Sequence, residues 1–427
     1  MKVLVVGAGG REHALSWKIS QSTLVTSVFV APGNGGTELE DHLTNVDIQA
    51  DDIEGLASFA LEQGIDLTIV GPEDPLVKGI TDRFNDLGLK CFGPSKGAAQ
   101  LEGSKEFMKD FLQRHHIPTA EYSSFSDTER AIEYVEQKGC PIVIKADGLA
   151  AGKGVTIAHT VEEAKEAIYQ SLESEVFGEA GKKIVIEEFL DGEEASFIVM
   201  TDGTNVIPFA SSQDHKALED NDKGPNTGGM GAYSPAPIVD EYVHEKIMNE
   251  IIFPTLKGLR KDGYKYCGFL YAGMMIDKNK KLKVLEFNCR FGDPETQPIM
   301  MRLKSDLASL CDQACDDNLI EQPLEWDSRK AIGVVLAARG YPHGYAKGKD
   351  ITNIPLEKDD LKIFHAGTKI ESNSLKSNGG RVLCVTSLGD SVESAQNKAY
   401  DAISEIEWED AFYRKDIGYR AIARERK

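Results

Sequence analysis

The chain has 427 residues and a formal net charge of −21, from 48 Lys and Arg against 69 Asp and Glu. That length suits about three domains. The charge argues against general binding to polyphosphate backbones, while leaving room for local basic sites that take small phosphates. A hydrophobic content of 41% excludes long disorder, and no apolar run approaches the ~20 residues of a membrane span, so neither a nucleic-acid nor a membrane partner is expected.

The first hundred residues alternate short apolar runs with helical stretches. Val3–Val6 reads as a buried parallel strand ending in Gly7, and it reads as a first strand, not as a signal peptide. A helix follows from Arg11. Further strands are expected at 28–30, 67–70 and 91–92, with helices at 56–63 and 76–87 between them. This βαβαβαβ order predicts a parallel sheet with right-handed crossovers, whose strand ends carry Gly, Pro or Asn. Ligands of open parallel sheets bind at those ends.

From about Ser104 the pattern changes. A helix containing Phe107, Phe111 and Leu112 leads to Ile117-Pro118. Short strands are then expected at 142–145, 155–158, 184–187, 196–200 and 206–210, with helices at 127–138 and 161–172. A Gly- and Asp-rich loop is expected over 218–232, a long helix over 240–260, and a hairpin from strands 268–276 and 282–288. Gln322-Pro323 marks a boundary, after which strands 331–338 and 381–387 and a helix 391–405 are expected. The seven cysteines show no Cys-x-x-Cys, and the reading is free thiols in a reducing cytoplasm.

Four blocks carry chemistry. Gly7-Ala8-Gly9-Gly10-Arg11-Glu12 follows a strand and opens a helix, the context for anion binding on helix N–H groups. A dinucleotide fingerprint would place Gly at position 12 and an acid at the end of the second strand; here stand Glu12 and Ala31-Pro32-Gly33-Asn34. A turn for a small phosphate or carboxylate and a purely structural tight turn both satisfy these residues.

Lys145–Val155 is a Gly- and Ala-rich loop flanked by lysines, including Gly152 and Lys153. Small residues let backbone N–H groups close over phosphates, but Walker A spacing is absent. Glu187-Glu188-Phe189-Leu190 with Glu194 ends a hydrophobic strand in acids that suit ribose hydroxyls and backbone that suits an adenine edge; an acidic edge strand reads alike. Finally, Glu286, Asn288 and Arg290 alternate on one strand face, before Gly292-Asp293-Pro294-Glu295. Two oxygen ligands there can hold Mg²⁺ against phosphate oxygens, and Arg290 can hold an anion or developing charge.

These blocks, with Asn226-Thr227-Gly228-Gly229-Met230-Gly231 and Gly71-Pro72-Glu73, resemble the ATP-grasp superfamily and, within it, the phosphoribosylamine–glycine ligase family. The resemblance spans the whole chain. It implies a mixed α/β chain: an N-terminal parallel α/β domain (1–103), a central ATP-grasp α+β domain (104–325) with a mobile lid subdomain (about 120–190), and a small C-terminal α+β domain (326–427). The implied reaction joins glycine to 5-phosphoribosylamine through a glycyl phosphate, using ATP with Mg²⁺ or Mn²⁺, in de novo purine synthesis.

Carried over residue by residue, the resemblance implies Lys105 and Lys145 on the phosphates, with Gly152 and Lys153. Glu187, Glu188, Phe189, Leu190 and Glu194 would surround adenine and ribose. Glu286 and Asn288 would hold the metal, and Arg290, Asp214, Gly229 and Asp293 would line the acceptor site. Gly10, Asn34 and Gly35 would face the ribose phosphate, with Arg290, Lys145 and Asp214 as the catalytic set. Many superfamily members add a metal acid about a dozen residues earlier. Here that stretch reads Gly273-Met274-Met275, so a second metal held that way is not expected. A nicotinamide oxidoreductase, a bicarbonate-using ATP-grasp carboxylase and a non-catalytic nucleotide sensor are the alternatives. A monomer, or at most a weak dimer, is expected.

Overall fold

The computed structural model describes residues 1–149, 154–174, 178 and 180–426. Its N-terminal sheet is parallel, in the order Leu43–Asn45, Ser27–Pro32, Lys2–Gly7, Leu67–Val70, Cys91–Phe92. Val3–Val6 of the central strand are apolar and fully buried because both faces of the sheet are covered. Val3 and Val5 enter one core with Phe92 and Ile299, whereas Leu4 and Val6 enter another with Phe111, Phe197 and Phe287. The sheet therefore shares its core with the centre of the molecule. The expected helix 76–87 is two helices, Glu73–Lys78 and Ile80–Asp86, because Gly79 adopts a left-handed φ of 99° and ends the first.

Residues 122–188 fold as a four-stranded antiparallel sheet, ordered Tyr122–Phe125, Ile184–Glu188, Ile142–Ala146, Val155–Ala158. Helices Thr128–Lys138 and Val161–Leu172 pack on it. Ile142, Ile144, Ile184 and Ile186 meet Ala131, Val135 and Ile168 in a core separate from the rest. A second antiparallel sheet, Val206–Pro208, Glu193–Thr201, Gly268–Ile276, Leu282–Asn288, lies beneath it. Its last two strands form the expected hairpin, with Gly273 opposite Glu286.

The expected loop 218–232 is instead largely ordered. Ala217–Glu219 and Lys223–Asn226 pair as a short hairpin, and Gly231–Ser234 joins the C-terminal sheet beside Lys330–Ala338. Gln213–Asp214 adds the edge strand. Alternation of buried positions in these short strands is hidden by their Gly content, so their pairing is a tertiary decision. The long helix expected at 240–260 runs from Glu241 to Lys261 through a π-helical turn, Met248–Ile252. No described helix is long and apolar enough to cross a membrane.

Candidate active site

All three regions converge on one cavity of about 520 Å³. Strands of the 122–188 sheet form its roof, the hairpin 268–288 its floor, and the 226–228 and 290–295 segments one end. Arg11 and Glu73 reach in from the N-terminal region, and Tyr341, Tyr345 and Arg381 from the C-terminal one.

The roof side of the cavity is rich in cations. Strand alternation turns Val143 and Lys145 toward the cavity. Lys145 Nζ lies 2.9 Å from Glu187 Oε1 and donates to Leu285 O at 3.3 Å. Burial raises the Glu187 carboxyl, but Lys145 and Lys109 outweigh it and hold the group below its usual range. Lys105 opens the helix Lys105–Arg114 behind the Ser104 cap and donates to Gly148 O at 3.0 Å. Phe189, Leu190 and Ile157 add apolar surface beside these charges, and Glu188 pairs with Lys283.

The opposite wall is rich in carboxylates. Glu286, Glu194 and Asp214 line the cavity around a single ammonium, Lys216, whose Nζ is 3.1 Å from Glu286 Oε1 and 3.6 Å from Glu194 Oε2. Lys216 holds Glu286 down at about 2 against the effect of burial. Asp214 behaves in the opposite way: burial, reinforced by Glu295, Glu194 and Glu286, pushes it up to about 8 despite Lys216. Two carboxylates facing one lysine are thus shifted in opposite directions, Glu286 down and Asp214 up. Nearby, Ser196 Oγ donates to Glu295 Oε1 at 2.9 Å and lies 2.9 Å from Tyr271 Oη.

Arg290 is fixed at the junction of the two walls with the N-terminal region. Its Nη2 is 2.7 Å from Glu102 Oε1 and its Nε is 3.1 Å from Glu73 Oε2. Burial pushes Glu102 up to about 7, and the same carboxylate accepts the Cys289 N–H at 2.7 Å. The Asn288 amide is satisfied with its nitrogen donating to Phe287 O and its oxygen accepting from Arg290 Nη1, at 3.0 and 3.1 Å. Gly229 has a φ of 114°, and a Cβ there would lie 2.5 Å from Pro294 Cδ, so this turn packs directly on the 293–295 segment. Arg381 locks the pair together, donating to Gly228 O at 2.7 Å and Asp293 O at 2.6 Å.

The cavity wall includes Lys105, Lys145, Glu187, Glu188, Phe189, Leu190, Glu194, Asp214, Glu286, Asn288, Arg290 and Asp293. Gly152 and Lys153 lie outside the described residues. Gly229 backs the wall without lining it, and Gly10, Asn34 and Gly35 do not line it either. A Cβ on Gly10 would meet Gln297 Nε2 at 2.6 Å. Asn34 spends its amide on the Gly36 and Thr37 N–H groups and on the Ala8 and His365 carbonyls. Glu12 fills the Gly-rich turn from within, taking the Gly9 N–H at 2.5 Å, which accounts for an acid where a dinucleotide fold has Gly. Arg11 and Glu295 stand in two of the motifs but were given no role there, and Lys216 and Arg381 were not named. Lys216 lies two residues from Asp214; Arg381 had no local signal.

Three family models tile the chain: the phosphoribosylglycinamide synthetase N domain at 1–102, its ATP-grasp (A) domain at 103–296 and its C domain at 331–420. The phosphoribosylamine–glycine ligase of Escherichia coli strain K12 is 62% identical over 427 residues, covering 100% of both chains. The crystal structure of phosphoribosylamine–glycine ligase from Thermotoga maritima matches with a TM-score of 0.85 at 34% identity, covering 98% of this chain and 100% of that one. Biotin carboxylase from Campylobacter jejuni matches with a TM-score of 0.76 at 15% identity over 97% of this chain and 93% of that one, a likeness of fold alone. Since the N, A and C models follow in order along a chain whose relatives match it end to end, the chain belongs to the phosphoribosylglycinamide synthetase family.

Proposed function

We propose that the chain is an ATP-dependent ligase joining glycine to 5-phosphoribosylamine, giving glycinamide ribonucleotide, ADP and phosphate in de novo purine synthesis. The observation that carries this reading is the single cavity in which a lysine-bearing roof faces a carboxylate-bearing floor. A triphosphate suits the first wall and an amino acid's ammonium suits the second. The working unit is taken as a monomer in the cytoplasm, built of segments 1–103, 104–325 and 326–427. Residues from about 120 to 190 act as the lid, consistent with their separate core.

A carboxylate is a poor electrophile, so glycine must be activated. One glycine carboxylate oxygen attacks the γ-phosphorus, the bond to ADP breaks, and a glycyl phosphate results. The amine nitrogen of phosphoribosylamine then attacks the carbonyl carbon, phosphate leaves, and the nitrogen loses a proton. In this reading Lys105 and Lys145, with Gly152 and Lys153 of the same loop, hold the phosphates. Glu187, Glu188, Phe189, Leu190 and Glu194 surround adenine and ribose. Asp214 takes the glycine ammonium, which supplies the cation its buried carboxyl lacks. Arg290, held by Glu73 and Glu102, steadies the carboxylate as it becomes an acyl phosphate, beside Asp293 and the Gly229 turn.

The donor set also fits a hard cation. Glu286 and Asn288 present a carboxylate and an amide oxygen to the cavity, and Lys216 and Arg290 already place positive charge against them. No group of three or more His, Cys, Asp or Glu suited to a metal occurs among the described residues. Two protein oxygens plus phosphate oxygens and water make the set that suits Mg²⁺ or Mn²⁺. Such an ion neutralises charge on the transferring phosphoryl group. The ribose phosphate is read at the N-terminal edge of the cavity, where Arg11 lines the wall next to Gly10, and near the Asn34-Gly35 turn, in which the Asn34 amide is already engaged with its own turn and with the Ala8 and His365 carbonyls. ADP release with glycine and phosphoribosylamine together, then with each omitted, tests the reading. ADP release that ignores both acceptors overturns it.

A further inference from the structure

Lys109 is fully buried and does not line the cavity. It stands one helical turn after Lys105 in the helix Lys105–Arg114. Its ammonium donates to Glu187 Oε2 at 2.7 Å and to Thr119 Oγ1 at 2.8 Å. Thr119 Oγ1 in turn donates to Val284 O at 2.8 Å, and Val284 N donates to Pro118 O at 2.8 Å. Lys109 therefore grips both ends of the lid segment, its entry at Thr119 and its exit at Glu187, and ties them to the strand that carries Glu286. The other oxygen of Glu187 faces Lys145 at 2.9 Å.

We propose that Lys109 is a positioning residue for ATP. It keeps Glu187 neutralised, so that Lys145 is free to leave that carboxylate for a phosphate. A buried carboxylate stripped of its last cation is strongly unfavourable. Without Lys109, Lys145 is the sole partner of Glu187 and is held away from the triphosphate. With Lys109 present, the departure of Lys145 leaves a complete buried ion pair behind. The two lysines have different duties although one carboxylate binds both. This inference rests on the reading of Lys145 as a phosphate ligand.

The test is equilibrium binding of a non-hydrolysable ATP analogue with Mg²⁺, plus KM for ATP and for glycine, on the full chain. The variants are Lys109→Met, Lys109→Arg, Glu187→Gln, the Lys109→Met/Glu187→Gln pair, and Lys145→Ala. Lys109→Met is expected to weaken analogue binding and raise the ATP KM about tenfold or more, with the glycine KM unchanged. In the Glu187→Gln background the same change is expected to matter less than about twofold, because no carboxylate remains to capture Lys145. Lys109→Arg is expected to retain most of the binding. An equal effect of Lys109→Met in both backgrounds, or a joint rise of both KM values, overturns the proposal. If Lys109→Met does not fold, the double variant decides: folding with the binding of Glu187→Gln alone supports the proposal, and failure to fold reduces Lys109 to packing. Unchanged analogue binding in Lys145→Ala overturns the reading of Lys145 instead.

Discussion

The roof and the floor of the cavity solve opposite electrostatic problems with the same residue types. At the roof two lysines, Lys145 on the wall and Lys109 buried behind it, share one carboxylate, Glu187. On the floor Glu286, Glu194 and Asp214 share one lysine, Lys216. The roof is left with excess positive charge, suited to phosphate, and the floor with excess negative charge, suited to a metal and an ammonium. A chain of net charge −21 thus presents a cationic wall by local stoichiometry of charge, because deep in a protein neighbours within a few ångströms outweigh the distant total.

The contrast is broken most completely at Glu286. Glu286→Ala is expected to abolish Mg²⁺-dependent turnover while circular dichroism and the melting temperature show a folded protein. Turnover near that of the parent at ordinary Mg²⁺ would remove Glu286 from the metal site. Lys145→Ala comes next, with a loss of about 10²–10³-fold in rate, if that ammonium stabilises the transferring charge. The loss should appear with ATP varied and leave the glycine KM nearly unchanged; a selective rise in the glycine KM would assign Lys145 to the wrong wall.

Asp214 sharpens the comparison through pH. Its carboxyl is pushed up to about 8 by burial and the neighbouring carboxylates, so it loses its proton only as pH rises through that value. Because the folded-state value lies above the unfolded one of 3.8, this group's contribution to stability is fully present below 3.8 and is lost as pH rises from there through about 8. A glycine ammonium offsets that loss. The glycine KM is therefore expected to fall between pH 6.5 and 8.5, and Asp214→Asn to raise that KM and flatten its pH dependence. A parallel pH profile in the parent and the variant would disconnect Asp214 from glycine. The smallest expected effect lies at the N-terminal turn. Gly10→Ala would crowd Gln297 and lower stability by about 1–3 kcal/mol, read as a drop in melting temperature, with the ATP KM unchanged.

What could be read in the sequence was what has a local cause. The strand Lys2–Gly7, the hairpin Gly268–Ile276/Leu282–Asn288 and the helix Val161–Leu172 follow from apolar runs, a polar turn and a Thr160 cap. Glu286 and Asn288 share a face because strand geometry repeats every two residues, whereas Arg290 lies in a bend past the strand end at Asn288 and still lines the cavity. The expected helix 76–87 failed at Gly79, where a left-handed turn was not visible in the apolar pattern.

Tertiary structure alone decided which of the chain's many charges face one another. Lys109 reads as a surface position of a helix until Glu187, 78 residues on, arrives beside it. Arg381 has no motif, yet it closes the Gly228–Asp293 end of the cavity from a strand of the C-terminal sheet. Gly10, Asn34 and Gly35 carry the pattern of an anion site, and only the fold shows that Asn34 donates to His365 O and that a Cβ on Gly10 or Gly35 would meet Gln297 or Thr368. Residue type and short spacing fix what a side chain can do. Burial and charge pairing, which set its protonation and its free valences, depend on contacts hundreds of residues apart and exist only once the chain has folded.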